Sequence, residues 1–254
     1  MTFDTEDSPF KLFEKMNFSL TIWLKHWYPE ICEFLEINIK DDENALHDVL
    51  NEIKSNTSAE ALRKTISKGK SVMIFAPGVN LELEFEKYSH LFKKKDSILI
   101  AADGATTHLL EQGFIPHIIV TDMDGDMDDQ FEAQASGSIL VTHVHGDNKN
   151  VILGNADKIV RSNFVITTQT NPLPGSENFF GFTDGDRAVC LATSMTEREI
   201  SLFGFDFGPV IGKHSKNYEL DSNMKQRKLK KFTIAKSVIN WCANTGQKFL
   251  MDWI

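Results

Sequence analysis

The chain is poor in cysteine. Only three cysteines occur in 254 residues, and they lie far apart at Cys32, Cys190 and Cys242. An odd number of widely separated cysteines provides neither a disulfide framework nor the paired ligands of a Cys-x-x-Cys zinc knuckle. A reducing compartment is therefore expected.

Long apolar runs and a basic leader are also missing. No run approaches the roughly 18 residues needed to span a bilayer. The first seven residues are acidic, whereas a secretory signal is basic at this point. These features predict a cytoplasmic protein that has no membrane partner.

Positive charge is the third deficit. The 27 lysines and arginines are outnumbered by 36 acidic residues, which gives a formal net charge of −9. Nucleic-acid surfaces rely on clustered Lys and Arg, so a nucleic-acid partner is not expected. The 41% apolar content is enough to build a full globular core.

The pattern of apolar residues changes near residue 67. Residues 1–67 read as a helical N-terminal region, in which Pro29 should bend or end the first helix. Residues 68–254 alternate short β-rich runs with helical lengths, which predicts an α/β domain: a mostly parallel sheet covered by helices on both faces. The predicted strands are 71–75, 98–102, 118–121, 139–142, 164–168 and 200–203, with a further strand-like run at 248–253.

Two carboxylates, Asp122 and Asp124, directly follow the apolar run 118–120. Paired acids at the end of a buried strand are costly unless a cation lies between them. An EF-hand is excluded, because its sixth and twelfth positions, counted from Asp122, hold Met127 and Ala133. The pair therefore predicts a divalent cation that carries a phosphate, with a solvated turn as the alternative.

Another acid, Asp103, ends the preceding predicted strand and is followed by Gly104. Asp103 could merely cap the helix predicted at 106–112. Gly104 permits a close backbone approach, which favours a ligand. A weaker phosphate-binding signal is the turn 76–80, which matches neither a Walker A nor a G-x-G-x-x-G sequence.

The segment 142–148 has two interpretations. His143, His145 and Asp147 resemble the opening of a binuclear zinc motif, but Asn148 stands where that motif continues with His. We favour Asp147 as a magnesium ligand or as a hydrogen-bond acceptor for substrate, with His145 positioning it.

The turn 181–188 combines glycines, two carboxylates and Arg187 before an apolar helix. Arginine suits bidentate contact with phosphate or carboxylate. A functional role for Arg187 is favoured over an Arg–Asp pair that only rigidifies the loop. Farther along, the basic segment 225–231 reads as the solvated start of a long helix, with nucleotide phosphates as the alternative partner.

Five motifs in one order, ADGA, TDMDG, HGDN, GFTDGDRA and FGFDFG, resemble the archaeal 6-hydroxymethyl-7,8-dihydropterin diphosphokinase family, whose fold is similar to that of thiamine pyrophosphokinase. The resemblance runs from about residue 69 to the C-terminus, and the helical region before it also suits the family. It implies transfer of a diphosphate from ATP to a reduced hydroxymethylpterin, on a route to folate or methanopterin coenzymes.

The resemblance also implies roles for residues of this chain. The implied magnesium ligands are Asp103, Asp122, Asp124 and Asp147. ATP or pterin contacts are implied for Asp103, Gly104, Thr168, Gln169, Asn171, Thr183 and Asp184. For the transfer itself, our own expectation is that Arg187 offsets charge on the transferring group and that Asp147 or Asp186 serves as the base if one is needed. The chain departs from the family at Ala76-Pro77-Gly78-Val79-Asn80-Leu81, where a glycine-rich turn followed by Ser-Leu is usual.

Two other functions remain open. Asp-x-Asp after a strand also occurs in glycosyltransferases that hold a nucleotide-sugar through a metal, and a nucleotide-sensing module would bind ATP without turnover. The sequence is compatible with a homodimer but does not specify the number of protomers.

Overall fold

The computed structural model describes residues 4–92, 96–208 and 222–250, apart from the side chain of the first residue of the last range. Within these ranges, seven strands form one parallel sheet. The strands are β1 (Ser71–Phe75), β2 (Ser97–Ala102), β3 (Ile118–Thr121), β4 (Ile139–Val144), β5 (Phe164–Thr168), β6 (Ile200–Phe203) and β7 (Phe249–Leu250). Their spatial order is β5-β4-β3-β2-β1-β6-β7.

Helices precede the sheet and then alternate with its strands. They are α1 (Leu20–Ile22), α2 (Tyr28–Leu35), α3 (Ile39–Glu52), α4 (Ala59–Ser67), α5 (Leu81–Phe92), α6 (Ala105–Glu111), α7 (Met127–Ala135), α8 (Lys149–Gly154), α9 (Ala156–Ile159), α10 (Asp184–Met195) and α11 (Ser222–Ala243). A 3-10 helix at Phe13–Lys15 and a π-helical turn at Trp23–Trp27 complete the described helical segments.

The predicted fold class is confirmed, and six predicted strands are present. Four have the predicted bounds, whereas β2 begins one residue earlier and β4 ends two residues later. β4 is longer because His143 and Val144 still pair with Thr167 and Thr168 of β5. His143 is therefore a buried strand residue and not part of the following loop. Residues 251–253 of the last predicted run lie outside the described residues.

The N-terminal helices differ in detail from the prediction. Pro29 lies in the first turn of α2, where its missing N–H is tolerated, and the π-helical turn directly precedes this helix. The predicted helical region is interrupted after Glu52, where α3 ends. It resumes at α4, where Ser58 accepts a hydrogen bond from the N–H of Ala61 (3.2 Å).

Helices cover both faces of the sheet. On one face, α2, α4, α10 and α11 pack with strand side chains into a large core; on the other face, α3 and α5–α9 form two smaller cores. The large core includes Phe10 and Trp27 from the N-terminal region and Trp241 from α11, with the rings of Trp27 and Trp241 5.2 Å apart. The domain boundary at residue 67 stays a prediction, since side chains from both sides of it share this core.

The basic start of α11 has structural partners. Arg227 and Lys230 donate to the carbonyl oxygens of Leu35 (3.3 Å) and Phe34 (3.1 Å), at the C-terminal end of α2. Cations are favourable at this end of a helix. Most other described side chains of the basic segment are exposed or half-buried, which agrees with a solvated helix face. Among the described residues, no helix is both long and apolar enough to cross a membrane.

The path of the chain after β5 brings distant residues to one edge of the sheet. Because every strand pair is parallel, the loops after β2, β3 and β4 all leave at the same edge. After β5 the chain returns through α10, which packs across β3, β2 and β1. The first turn of α10 therefore lies beside the loops that carry Asp103 and Asp122.

A substitution at Gly204, directly after β6, tests how closely the loops at this edge of the sheet pack together. Its backbone is left-handed (φ 69°), and a Cβ atom added there would collide with the carbonyl oxygen of Ala76. Gly204→Ala should lower the free energy of unfolding by about 2 to 3 kcal/mol. Gly113→Ala is the matched control, since its φ is 77° but an added Cβ meets nothing within 4 Å. In urea unfolding, equal losses for the two variants would contradict the close approach.

Candidate metal and phosphate site

Asp103 lies just after β2, and three neutral donors converge on one of its carboxylate oxygens. Its Oδ1 accepts hydrogen bonds from Thr121 Oγ1 (3.1 Å), Gly125 N (3.0 Å) and Gln130 Nε2 (2.9 Å). The backbone of Asp103 is left-handed (φ 44°), and Gly104 is the N-cap of α6. These donors belong to the neighbouring β3–α7 segment, so the contacts of the carboxylate are not those of a simple helix cap.

Asp122 and Asp124 lie in a tight turn after β3. Met123 between them has a left-handed backbone (φ 66°), and its N–H donates to Thr121 Oγ1 (2.8 Å). The Asn148 amide donates to the carbonyl oxygen of Asp122 (2.8 Å) and also contacts the end of β4. The turn is thus fastened to both neighbouring strand ends.

A further carboxylate reaches this position from α10. Asp184 is the first residue of that helix, and its side chain is 13% exposed. One carboxylate oxygen from each of Asp103, Asp122, Asp124 and Asp184 lies within 4.8 Å of the others. We call these four residues the acidic cluster. In the described part of the chain, no other group of His, Cys, Asp or Glu side chains meets the same distance condition.

The acidic cluster is electrostatically unfavourable as it stands. Burial, and then the charges of Asp124 and Asp122, raise the pKa of Asp103 to about 7. Burial and then Asp122 likewise hold the pKa of Asp184 well above its usual value. Burial would also raise the pKa of Asp122, but the hydrogen bond to His145 and the charge of Arg187 outweigh it and lower this pKa. A cation between the carboxylates would relieve this repulsion.

The donor set fits a hard divalent cation. All four side chains provide carboxylate oxygens, which Mg²⁺ prefers. The Oδ1 atom of Asp122 is buried and has no hydrogen-bond partner among the described residues. Such an atom is costly unless a ligand satisfies it. The acidic cluster can therefore hold a divalent cation.

Arg187 lies directly beside the acidic cluster. Its NH1 atom is 3.1 Å from Asp184 Oδ1, and NH2 donates to Gln169 Oε1 (3.4 Å). The residue is only 6% exposed, and its Nε atom has no partner among the described residues. The Arg–Asp pair that was the alternative interpretation is present. Because this pair lies at the acidic cluster and the Nε donor of Arg187 is unused, rigidifying the loop does not explain the whole role of Arg187.

Asp186 and Thr183 form the start of α10. Asp186 Oδ1 accepts from the N–H and the hydroxyl of Thr183, and Oδ2 accepts from the N–H of Phe182 (2.6 Å). This is a capping box. Both carboxylate oxygens are used to fix the turn. Asp186 therefore has a structural role, because it holds the loop that presents Asp184 and Arg187.

Asp147 is exposed and is not a member of the acidic cluster. Its N–H donates to His145 Nδ1 (3.2 Å), while His145 Nε2 lies 3.6 Å from Asp122 Oδ2. His145 therefore links the loop of Asp147 to the cluster. His143 instead contacts Thr167 Oγ1 (3.1 Å) inside the sheet, and no described histidine belongs to a metal-binding group, so the zinc interpretation gains no support.

The residues predicted after β5 are placed differently from one another. Thr168 is buried and shares a hydrogen bond with Thr170 (2.9 Å), Gln169 is buried against Arg187, and Asn171 is exposed. A recess beside Arg187 is lined by His143, Thr168, Phe179 and Phe180. Thr168 and Gln169 thus lie next to the site, and Asn171 lies at the surface.

Comparisons with known proteins place the chain in a family. A family profile described as 6-hydroxymethylpterin diphosphokinase MptE-like matches residues 44–212. The chain belongs to this family. It is 37% identical to the Pyrococcus furiosus 6-hydroxymethyl-7,8-dihydropterin pyrophosphokinase over 234 residues, covering 90% of this chain and 96% of the relative.

Two further relatives of the same name agree. The Methanothermobacter thermautotrophicus protein is 32% identical over 235 residues, covering 91% of this chain and 98% of the relative. The Methanocaldococcus jannaschii protein is 37% identical over 214 residues, covering 80% and 86%. The resemblance inferred from the five motifs is therefore confirmed for nearly the whole chain.

Two polar residues of this member of the diphosphokinase family could not be predicted from the sequence. Gln130 donates to Asp103, and Asp42 of α3 accepts a hydrogen bond from Gln169 Nε2 (2.5 Å). Asp42 lies 127 positions before its partner and looks like any acid in the first turn of a helix. No local pattern marks either residue, so only the fold reveals them.

Gly125→Ala tests the packing around Asp103. An added Cβ would lie 2.5 Å from Asp103 Oδ1, so the carboxylate must move. We expect Mg²⁺ or Mn²⁺ affinity, measured by calorimetry, to fall at least about 10-fold. Gly154→Ala in α8 is the control, because nothing lies within 4 Å of its added Cβ. Unchanged affinity in Gly125→Ala would contradict the role assigned to Asp103.

Asp124→Asn tests the repulsion within the acidic cluster. In the folded protein the pKa of Asp103 is raised to about 7, whereas the pKa of an aspartate in an unfolded chain is about 3.9. The folded state therefore loses stability as the pH rises through this range. At pH 8 with a chelator, Asp124→Asn should therefore raise Tm by about 2 to 4 °C, while metal affinity falls. A lower Tm without metal would contradict the electrostatic account.

Proposed function

We propose that this chain transfers a diphosphate group from ATP to the hydroxymethyl group of 6-hydroxymethyl-7,8-dihydropterin and releases AMP. The observation that carries the proposal is the meeting of four carboxylates with a buried arginine at the carboxyl edge of a parallel sheet. The names of the three archaeal relatives support the choice of acceptor.

The acidic cluster is the proposed magnesium site. Asp147 is expected in this set from the family resemblance, but Asp184 offers an oxygen close to the other three and Asp147 does not. We therefore propose Asp103, Asp122, Asp124 and Asp184 as ligands. Like charges 4 Å apart repel by about 4 kcal/mol at an effective dielectric near 20. When bound, Mg²⁺ would offset this repulsion between the carboxylates and the ATP phosphates.

The proposed step is an in-line displacement. The pterin hydroxyl oxygen forms a bond to the β-phosphorus of ATP, the bond from that phosphorus to the oxygen bridging toward the α-phosphorus breaks, and AMP leaves with the bridging oxygen. Phosphoryl transfer depends mainly on positioning and charge stabilisation. Arg187 is suited to offset charge on the transferring group, since Asp184 and Gln169 hold its two terminal nitrogens.

The hydroxyl proton needs an acceptor, for which two acids are candidates. Both oxygens of Asp186 are occupied by the capping box. Asp147 is exposed at the rim of the site and is coupled through its backbone to His145. We therefore favour Asp147 or solvent as the acceptor, and Asp186 as a residue that fixes the loop of Asp184 and Arg187.

The pterin is proposed to bind near the end of β5. Thr168 and Arg187 line a recess together with Phe179 and Phe180, and Gln169 contacts Arg187. We propose Thr183, at the start of α10, as a further contact. Aromatic rings and buried polar groups suit a flat, hydrogen-bonding ligand.

The product would enter folate- or methanopterin-type coenzyme synthesis in the cytoplasm. That the protein forms a homodimer stays a prediction.

Arg187→Lys tests the mechanism. Lysine is a point charge and cannot contact Asp184 and Gln169 as arginine does. We expect kcat for AMP formation to fall about 100-fold, with Arg161→Lys on the exposed surface as control. The assay combines ATP, Mg²⁺ and the reduced pterin and measures AMP and pterin diphosphate. Equal kcat values for Arg187→Lys and the wild type would remove Arg187 from the mechanism.

This assay, a parallel incubation with an activated sugar and a calorimetric measurement of ATP binding together separate the rival functions. Pterin-dependent release of AMP supports the diphosphokinase. Release of UDP or CMP from an activated sugar would support a glycosyltransferase and contradict the proposal. Tight ATP binding without pterin-dependent loss of ATP would indicate a nucleotide sensor.

A further inference from the structure

A carboxylate of the N-terminal region lies buried at the edge of the catalytic site. Asp42, in the first turn of α3, is 3% exposed. Its Oδ2 accepts from Tyr28 OH (2.6 Å) and Gln169 Nε2 (2.5 Å), and its Oδ1 accepts from Gly146 N (2.7 Å). The three partners come from α2, the β5 end and the loop after β4. Asp42 is therefore the point at which these segments meet.

The carboxylate determines which way the Gln169 amide faces. An ionised carboxylate can only accept hydrogen bonds, so it requires the NH₂ end of Gln169. The oxygen end, Oε1, is then directed to Arg187 NH2 (3.4 Å). The reversed amide would place oxygen against oxygen at Asp42 and two donors against each other at Arg187. The hydrogen bond from Trp23 Nε1 to the Gln169 carbonyl (2.9 Å) fixes the backbone at the same point.

We propose that Asp42 is a positioning residue for the reaction, acting on Arg187 through the side-chain amide of Gln169. The inference rests on the proposed function for the catalytic role of Arg187. It means that the N-terminal region supplies part of the active site. Arg187 is held between the Gln169 oxygen on one side and Asp184 on the other. Without Asp42, the first of these acceptors loses its orientation.

We call the contacts from Asp42 through Gln169 to Arg187 the relay. Their chemistry allows the carboxylate and the amide to be exchanged between positions 42 and 169. Asp42→Asn places a donor against the NH₂ end of Gln169. Gln169→Glu places a second carboxylate against Asp42. When both are made together, the amide at position 42 donates to the carboxylate at position 169, whose other oxygen accepts from Arg187. The Tyr28 hydroxyl can then accept from the new amide, since a hydroxyl both donates and accepts.

The test compares Asp42→Asn, Gln169→Glu, the double variant and the control Glu43→Gln. Glu43 neighbours Asp42 on α3 but is exposed. We expect each relay variant to lower kcat by about 10- to 100-fold, with a much smaller change in KM for ATP. The double variant should regain most of the lost kcat, and the control should match the wild type. A residue with a structural role alone would lower the amount of folded protein without this pattern in kcat.

A second readout does not depend on catalysis. Urea unfolding of the same variants gives a double-mutant cycle for positions 42 and 169, in which the proposal predicts strong favourable coupling. If Asp42→Asn alone does not fold, the recovery of kcat is measured by comparing the double variant with Gln169→Glu.

Separate results identify which claim fails. If the wild type forms AMP with the pterin but the double variant is no better than the single variants, the relay is wrong. If the wild type lacks that activity, the proposed function fails, and the unfolding cycle still decides the relay. Additive losses in the cycle would overturn it.

Discussion

Mutual repulsion among the four carboxylates of the acidic cluster constrains the structure around them. Asp103 is buried, Asp122 and Asp184 are half-buried, and Asp124 is exposed. Their nearest oxygens lie within 4.8 Å of one another, and burial raises the pKa of two of the four. The surrounding structure offsets part of this cost. Thr121, Gly125 and Gln130 donate to Asp103. Arg187 contacts Asp184, and His145 lies near Asp122. The remaining negative charge is suited to a divalent cation.

The parts of the site set by local sequence could be predicted. Asp103, Asp122 and Asp124 each follow a short apolar run, and parallel strands bring the ends of such runs together. The strand bounds were predictable for the same reason, because β-branched and apolar runs between polar turns mark buried strands. β4 extends beyond its prediction because pairing with β5, a tertiary interaction, includes two residues of a polar motif.

The parts set by distant contacts could not be predicted. Asp184 reaches the acidic cluster only because α10 crosses back over three strands. Asp122 directly follows β3, whereas Asp147 comes three residues after the end of β4, and its side chain is exposed. Asn148, the next residue, binds the carbonyl oxygens of Asp122 and His143. Nothing in the local pattern distinguishes which of these neighbours turns inward. Asp42 likewise depends on a contact across 127 positions.

A crystal structure with Mg²⁺ and a non-hydrolysable ATP analogue is the most direct test of the proposed metal site. We predict metal density between the carboxylates of Asp103, Asp122, Asp124 and Asp184, with the analogue's phosphates completing the coordination beside Arg187. Metal and phosphates bound elsewhere, with these four carboxylates turned apart, would contradict it.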